Sequence, residues 1–182
     1  MRKALKLIAM AALWTGVTAF ALGAALVIPK GHWRKVERKT AKRYGKDIRW
    51  LSIDSTSATT AAWNVLNSSG DTLARVDYRK VEACSFGGCT KTSCGPEAQN
   101  NKVKEYIYYV AVRTHNNPAI QLISVLEYES NYGFQIASSA WLRQFVGLEP
   151  GQAVEGETVD GISGATVSVQ AMISDVNNLP DN

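Results

Sequence analysis

A short segment near the C-terminus combines glycines, hydroxyls and a carboxylate in an order that suits phosphate chemistry. Gly161 and Gly164 flank a polar turn and allow the backbone to approach a ligand closely. The following residues enter a predicted helix, whose first N–H groups and dipole favour a phosphate. Thr166 lies at that junction and offers a hydroxyl for a covalent bond. The alternative is an ordinary turn in which Ser163 or Thr166 caps the helix.

Three cysteines form a second candidate group. Cys84, Cys89 and Cys94 follow a C-x4-C-x4-C spacing in a segment with three glycines and a proline, which predicts a long loop over residues 84–101. Zinc and [2Fe–2S] sites use four ligands, and the only histidines that could supply a fourth ligand are His32 and His115. An export compartment favours one disulfide and one free thiol. A redox or metal role, with a ligand shared by another subunit, is the alternative.

Charge is divided unevenly along the 182 residues. Residues 1–50 contain 12 of the 20 Lys and Arg and 2 of the 16 Asp and Glu, a net charge of +10, which leaves 8 against 14, a net charge of −6, for residues 51–182. The basic character therefore belongs to the N-terminal part, and the remainder is acidic. An acidic body gains nothing from a phosphate backbone, so nucleic acid is not an expected partner.

An uncharged apolar segment explains part of that asymmetry. Residues 7–29 read LIAMAALWTGVTAFALGAALVIP and follow Arg2, Lys3 and Lys6. A helix needs about 20 residues to cross the hydrocarbon core, so this segment predicts a transmembrane anchor. A cleaved signal peptide is the alternative, but hydrophobic residues continue past the site where cleavage should fall.

The flank after the anchor carries the remaining basic charge. Residues 30–49 contain nine Lys and Arg, which the positive-inside rule would keep in the cytoplasm, whereas the basic leader before the apolar segment is typical of an exported signal-anchor. Trp33, Val36, Thr40 and Tyr44 fall on one helical face. We interpret this flank as a solvated juxtamembrane helix whose lysines touch anionic headgroups.

The elements that position these residues follow from the hydrophobic period. Strands are predicted at 48–53, 63–66, 73–78, 106–113 and 120–128, a hairpin turn at 67–71, and helices at 138–145 and 165–176. This pattern predicts an α+β fold: a curved antiparallel sheet with flanking helices, preceded by one N-terminal transmembrane helix. The predicted parts are the anchor or signal peptide (1–30), the basic juxtamembrane helix (31–47) and one domain (48–182).

The order of residues 160–166 resembles the flavinylation motif of the FMN-binding domain family, Asp-x-x-(Ser/Thr)-(Gly/Ala)-Ala-Thr. Every specified position matches: Asp160, Ser163, Gly164, Ala165 and Thr166. The family includes flavinylated components of the sodium-pumping NADH:quinone oxidoreductase and of the Rnf complex. The resemblance implies that Thr166 carries FMN through a phosphoester bond installed by an FAD:protein FMN transferase. It also implies that the other four residues recognise and position the phosphate.

A second segment, residues 126–135, is similar to the strand and acidic-glycine loop of that family. Many relatives carry Glu-Thr-Pro-Gly-Leu-Gly there, and Glu129 and Ser130 keep the first two characters, while Asn131 and Tyr132 replace the Pro-Gly pair. The chain is therefore closer to small stand-alone, membrane-anchored members than to the pump components. The resemblance implies that Glu129 and Ser130 contribute to the flavin site; the alternative for Glu129 is a solvated carboxylate at a strand end.

The resemblance spans residues 104–178 and implies that residues 48–182 form an FMN-binding domain. We expect a membrane-anchored flavoprotein that relays electrons between donor and acceptor proteins, in a multisubunit redox complex as one arrangement. No Gly-x-Gly-x-x-Gly fingerprint supports a direct NAD(P)H site, and enzymatic turnover stays open. A scaffold module without flavin and a small flavin-dependent reductase are the alternatives. The expected location is the inner (cytoplasmic) membrane, single-pass, with the soluble domain extracytoplasmic.

Overall fold

Five segments rich in β-branched and aromatic residues pair in chain order to form one open antiparallel sheet. The computed structural model describes residues 26–53, 57–85, 104–130 and 133–180. Within these ranges the strands are β1 (Arg49–Ile53), β2 (Thr60–Leu66), β3 (Thr72–Ser85), β4 (Lys104–Thr114) and β5 (Asn117–Tyr128). The helices are α1 (Lys30–Tyr44), α2 (Ser139–Leu142) and α3 (Thr166–Asn177), and short 3-10 helices at Phe134–Ala137 and Arg143–Phe145 flank α2. The predicted α+β fold, an antiparallel sheet with flanking helices, is confirmed.

The predicted hairpin at residues 67–71 is confirmed, and its turn is held by side chains. The amide N–H of Asp71 donates to Asn67 Oδ1 at 2.8 Å, and Asn67 Nδ2 donates to Asp71 Oδ2 at 2.9 Å. Asx side chains that bond their neighbouring backbone are a common way to close such turns. This turn sets the register of β2 against β3, in which Trp63 lies opposite Val76.

The sheet has a hydrophobic core on each face. Successive side chains of a strand point to opposite faces, so Ile107 and Tyr109 of β4 pack with α2 and α3, whereas Val110 and Val112 pack on the other face with α1. Both faces are therefore covered by helices. The segment with residues 160–166 belongs to the face of α2 and α3.

One face of helix α1 belongs to the hydrophobic core. His32, Val36 and Thr40 are buried, and Trp33 and Tyr44 pack against the same core. The common face predicted for Trp33, Val36, Thr40 and Tyr44 is confirmed, but the interpretation of the helix as solvated is wrong for that face. Val36 is fully buried because it packs into the apolar cluster that also contains Val65 and Val76.

The predicted anchor lies almost wholly outside the described residues, since only residues 26–29 of the apolar segment fall within them. Among the residues that the structure describes, no helix is long and apolar enough to span a membrane. Most of the predicted long loop at residues 84–101 also lies outside them, and Cys84 is a residue of β3 whose side chain is not described.

Two valines of α3 provide a matched test of this packing. Val169 is fully buried and Val167 is 57% exposed on the same helix. We expect Val169→Ala to lower the free energy of unfolding by about 1–3 kcal/mol, because it removes buried methyl groups and leaves a cavity. Val167→Ala should change it by no more than about 0.5 kcal/mol. Urea unfolding of both variants measures the difference; equal values would contradict the placement of α3.

Candidate functional site

The segment of residues 160–166 leads directly into α3, as predicted. Thr166 is the first residue of the helix, and Gly164, two residues before it, takes a left-handed backbone with φ of 78°. A residue with a Cβ rarely adopts this conformation, which explains a glycine here. The Ala165 amide N–H donates to Ile162 O at 3.0 Å and closes the turn. The turn therefore delivers Thr166 to the start of the helix.

The N-terminus of α3 has no side-chain cap. Ala165 occupies the cap position, no side chain accepts a hydrogen bond there, and the first turn contains no acidic residue. The alternative in which Ser163 or Thr166 caps the helix is therefore wrong. The first N–H groups of a helix have no partner within the helix. At this end they remain available to an external anion.

The side chains of Asp160, Ser163 and Thr166 are exposed. Among the described residues, none of the three side chains forms a hydrogen bond or an ion pair. Ala165, in contrast, is buried and anchors the segment to the protein. The motif is thus held by one buried residue, while its polar side chains are exposed. Its hydroxyls are accessible for reaction.

Two side chains from the region of α2 hold the backbone at the start of the motif. Trp141 Nε1 donates to Asp160 O at 2.7 Å, and the Asp160 amide N–H donates to Gln144 Oε1 at 2.7 Å. Trp141 is buried against Phe145, with their ring centroids 5.1 Å apart. Its indole N–H and the Gln144 amide fix both backbone groups of Asp160, a role without a sequence signature.

A close approach between two loops holds the other end of the motif. A Cβ atom built on Gly133 would lie 2.1 Å from Ala165 Cβ and 3.3 Å from Ala165 Cα, so only a glycine fits. Gly133 also has a φ of 69°. This contact joins the loop after β5 to the residue before Thr166. The sequence alone did not identify Gly133. Its only signal there is an isolated glycine after the acidic end of a strand.

Three polar contacts set the position of α3 on the sheet. Tyr128 OH donates to Ser168 Oγ at 3.0 Å near the start of the helix. Near its end, Asp175 accepts from Arg79 Nη2 at 2.6 Å and from Tyr109 OH at 2.6 Å. Burial, together with the adjacent Asp175 carboxylate, raises the pKa of the Tyr109 phenol, so this hydroxyl remains a donor. The helix is thus anchored at both ends.

Glu129, one of the predicted flavin-site residues, is engaged by β4. Its carboxylate accepts a hydrogen bond from the Tyr106 amide N–H at 3.0 Å. Burial, with the nearby charge of Glu129 second, raises the pKa of Tyr108 to about 12. Tyr108 packs on the α1 face, with its ring 5.3 Å from that of His32. These contacts give Glu129 a structural role, and its role toward a ligand stays a prediction.

The other residues predicted beside Glu129 are only partly described. Ser130 is half-buried, and Asn131 and Tyr132 lie outside the described residues. Two apolar side chains are exposed in the elements that meet here: Phe134, which follows Gly133 and is 70% exposed, and Val167, which follows Thr166. Gly133, which precedes Phe134, approaches Ala165, which precedes α3, and Val167 lies in the first turn of that helix.

A cavity of about 410 Å³ opens elsewhere, between α1, β5 and α2. Its lining includes Lys35, Gln121, Ser124 and Arg143, and no residue of the motif. Within the described ranges, no group of three or more His, Cys, Asp or Glu is placed to hold a metal ion. Cys89 and Cys94 lie outside those ranges, so the disulfide stays a prediction.

Comparison with known proteins agrees with the geometry. The family model of the FMN-binding domain matches residues 105–180, which include β4 except its first residue and the whole of β5, α2 and α3. No curated protein and no solved structure matches the chain.

The contact between Gly133 and Ala165 can be tested against a matched glycine. Gly147 also has a positive φ, of 93°, but nothing lies within 4 Å of a Cβ there. We expect Gly147→Ala to cost about 1–2 kcal/mol of unfolding free energy for the left-handed backbone. Gly133→Ala should cost about 1–3 kcal/mol more, since it also forces Ala165 to move.

The measurements are urea unfolding and amide hydrogen exchange in residues 160–168. Exchange in that segment should accelerate in Gly133→Ala and not in Gly147→Ala. Equal stabilities and equal exchange would show that the close approach does not hold the motif.

Proposed function

We propose that this chain is a membrane-anchored flavoprotein that carries FMN covalently on Thr166 and relays electrons between redox partners; the match of residues 105–180 to the FMN-binding domain model supports the cofactor. The observation that carries the proposal is the position of Thr166. Its exposed hydroxyl lies at the first residue of a helix without a side-chain cap, directly after the turn that contains Gly164.

The start of α3 fits a phosphate. The unpaired N–H groups and the positive end of the helix dipole favour an anion, and no carboxylate in the first turn opposes it. Ser163 and Gly164 are exposed in the turn that precedes the helix. We assign Asp160, Ser163, Gly164 and Ala165 to recognition and positioning of the phosphate, and Thr166 Oγ1 to the phosphoester bond.

The covalent bond requires a transferase and FAD. The Thr166 hydroxyl loses its proton and bonds to the FMN phosphorus, the pyrophosphate bond of FAD breaks, and AMP leaves. Because Thr166 is exposed, a separate enzyme has access to it. The hydrogen bonds to the Asp160 backbone and the close approach of Gly133 to Ala165 hold the segment in one conformation for that enzyme.

The surroundings of Thr166 fit a planar apolar ring. Phe134 is 70% exposed and follows Gly133, which approaches Ala165, and Val167 is 57% exposed in the first turn of α3. Aromatic and apolar side chains of this kind contribute area for stacking. Glu129 and Ser130 follow β5 on the same loop as Phe134 and are proposed as further contacts.

Bound FMN supplies the electron-transfer chemistry, and the protein supplies position and electrostatics. The exposed position of Thr166 gives partner proteins access to a flavin held there. The donor and acceptor are therefore proposed to be proteins, with a multisubunit redox complex as the setting. A scaffold module would lack the flavin, and a reductase would turn over a small substrate.

We propose further that residues 7–29 anchor the chain in the inner membrane, with the domain on the extracytoplasmic side. Tethering through the chain and through a covalent bond prevents the loss of FMN by diffusion from that side. Residues 26 and 28 already pack against the domain, so the anchor and the domain are joined without an intervening linker.

The sharpest prediction concerns Thr166. Thr166→Ala should abolish covalent flavin and change the unfolding free energy by no more than about 0.5 kcal/mol, since the side chain is exposed and caps nothing. Thr166→Ser keeps a hydroxyl and should be partly modified. Ser174→Ala, which removes an exposed hydroxyl on the same helix, is the matched control and should stay fully modified.

The measurement is intact mass and in-gel flavin fluorescence of denatured protein co-expressed with an FMN transferase. Covalent flavin in Thr166→Ala would move the attachment to another residue. A wild-type chain without flavin under these conditions would favour the scaffold module, and steady-state turnover with a quinone or soluble donor would favour the reductase.

The topology is tested separately. We expect a C-terminal alkaline phosphatase fusion to be active and a C-terminal green fluorescent protein fusion to be dark, because the signal-anchor exports the domain. The two reporters give opposite signals in the two compartments and control for each other. Activity of the cytoplasmic reporter alone would overturn both the orientation and the export-dependent disulfide.

A further inference from the structure

Helix α1 carries two rows of residues on opposite sides. His32, Val36 and Thr40 are buried at a spacing of four, while Lys30, Arg34, Arg38 and Lys42 are exposed at the same spacing. The two rows are offset by two residues, which is about 200° around a helix. The side away from the sheet is therefore a continuous cationic row.

The acidic side chains that the structure describes leave this cationic row unpaired. Among the described residues, no acidic side chain forms an ion pair with any of its four members. The rest of the chain is acidic, since residues 51–182 carry 8 Lys and Arg against 14 Asp and Glu. The molecule therefore presents one positive side, and an extended negative surface would attract that side and repel the remainder.

The cationic row is held in a fixed orientation. His32 Nε2 donates to Glu127 Oε2 at 2.8 Å, and His32 Nδ1 lies 2.8 Å from the Tyr78 hydroxyl. Lys35 Nζ donates to Leu126 O at 2.7 Å. These bonds fasten the first turns of α1 to β3 and β5, so the exposed row has a defined direction relative to the sheet.

The chain also enters α1 at the surface of the domain. Leu26 and Ile28, which lie at the end of the apolar segment, pack against the core that contains Val36. Beside them, Trp33 packs against Trp50 and Trp63, with centroid distances of 5.0 and 4.9 Å. All three indoles are partly exposed. Tryptophan is enriched at membrane–water interfaces.

We propose that the exposed face of α1, defined by Lys30, Arg34, Arg38 and Lys42, is a lipid-contact surface that lies on anionic phospholipid headgroups. The headgroups lie within reach of this surface because the chain leaves the bilayer directly beside it. Basic residues near an anionic leaflet contribute about 1 kcal/mol each, so four of them hold the domain on the membrane in one orientation. This inference rests on the proposed membrane anchor and is independent of the flavin.

The full chain, reconstituted in nanodiscs, tests the surface. Amine labelling of Lys30 and Lys42 should be several-fold slower in phosphatidylglycerol-containing nanodiscs than in phosphatidylcholine nanodiscs, as read by peptide mass spectrometry. About 1 M salt should remove the difference, because it shortens the Debye length to about 3 Å. Lys104, exposed on β4 and paired with Glu82, is the internal control and should be labelled equally in both.

Two matched variants separate this surface from general charge. Arg34→Gln with Arg38→Gln should remove the protection of Lys30 and Lys42. Arg49→Gln with Arg143→Gln makes the same charge change at exposed positions off the row and should leave the protection intact. Equal labelling in the two lipids, in a chain that stays with the nanodisc, would overturn the lipid-contact surface alone. A chain that leaves the nanodisc would overturn the anchor and the surface together, whereas loss of flavin affects neither.

Discussion

The alternation of side chains at the end of β5 is the constraint on which the arrangement depends. Glu127 faces α1 and bonds His32, whereas Tyr128, the next residue, faces α3 and bonds Ser168. Consecutive residues of a strand must point to opposite faces. One dipeptide therefore ties the helix that follows the apolar segment and the helix that begins with Thr166 to the same end of the sheet, one sheet thickness apart.

The candidate site is a backbone arrangement more than a cluster of side chains. Trp141 and Gln144 hold the peptide groups of Asp160. Ala165 approaches Gly133 more closely than a residue with a Cβ at that position would allow. The polar groups that these contacts position are exposed and make no bonds to the described protein. These contacts hold the segment in one conformation and leave it accessible to a ligand and to a modifying enzyme.

Helix α1 turns the uneven charge of the sequence into a positively charged side of the domain. Its cationic row and its buried row come from the same repeat of four residues. The sequence predicts the common face of Val36, Thr40 and Tyr44 correctly. The expectation of a solvated helix fails because the partner of that face, the apolar cluster with Val65 and Val110, comes from distant strands.

The sequence by itself determined the elements: the hairpin at Asn67, the strands that end near Thr114 and Tyr128, and the glycine turn before Thr166. These depend on local period and turn chemistry, which neighbouring residues set. Only the tertiary structure decided that α1 belongs to the core, that Glu129 is bonded to β4, and that Gly133 supports Ala165. Each of these contacts joins residues far apart in the chain, and packing rather than local preference selects such pairs.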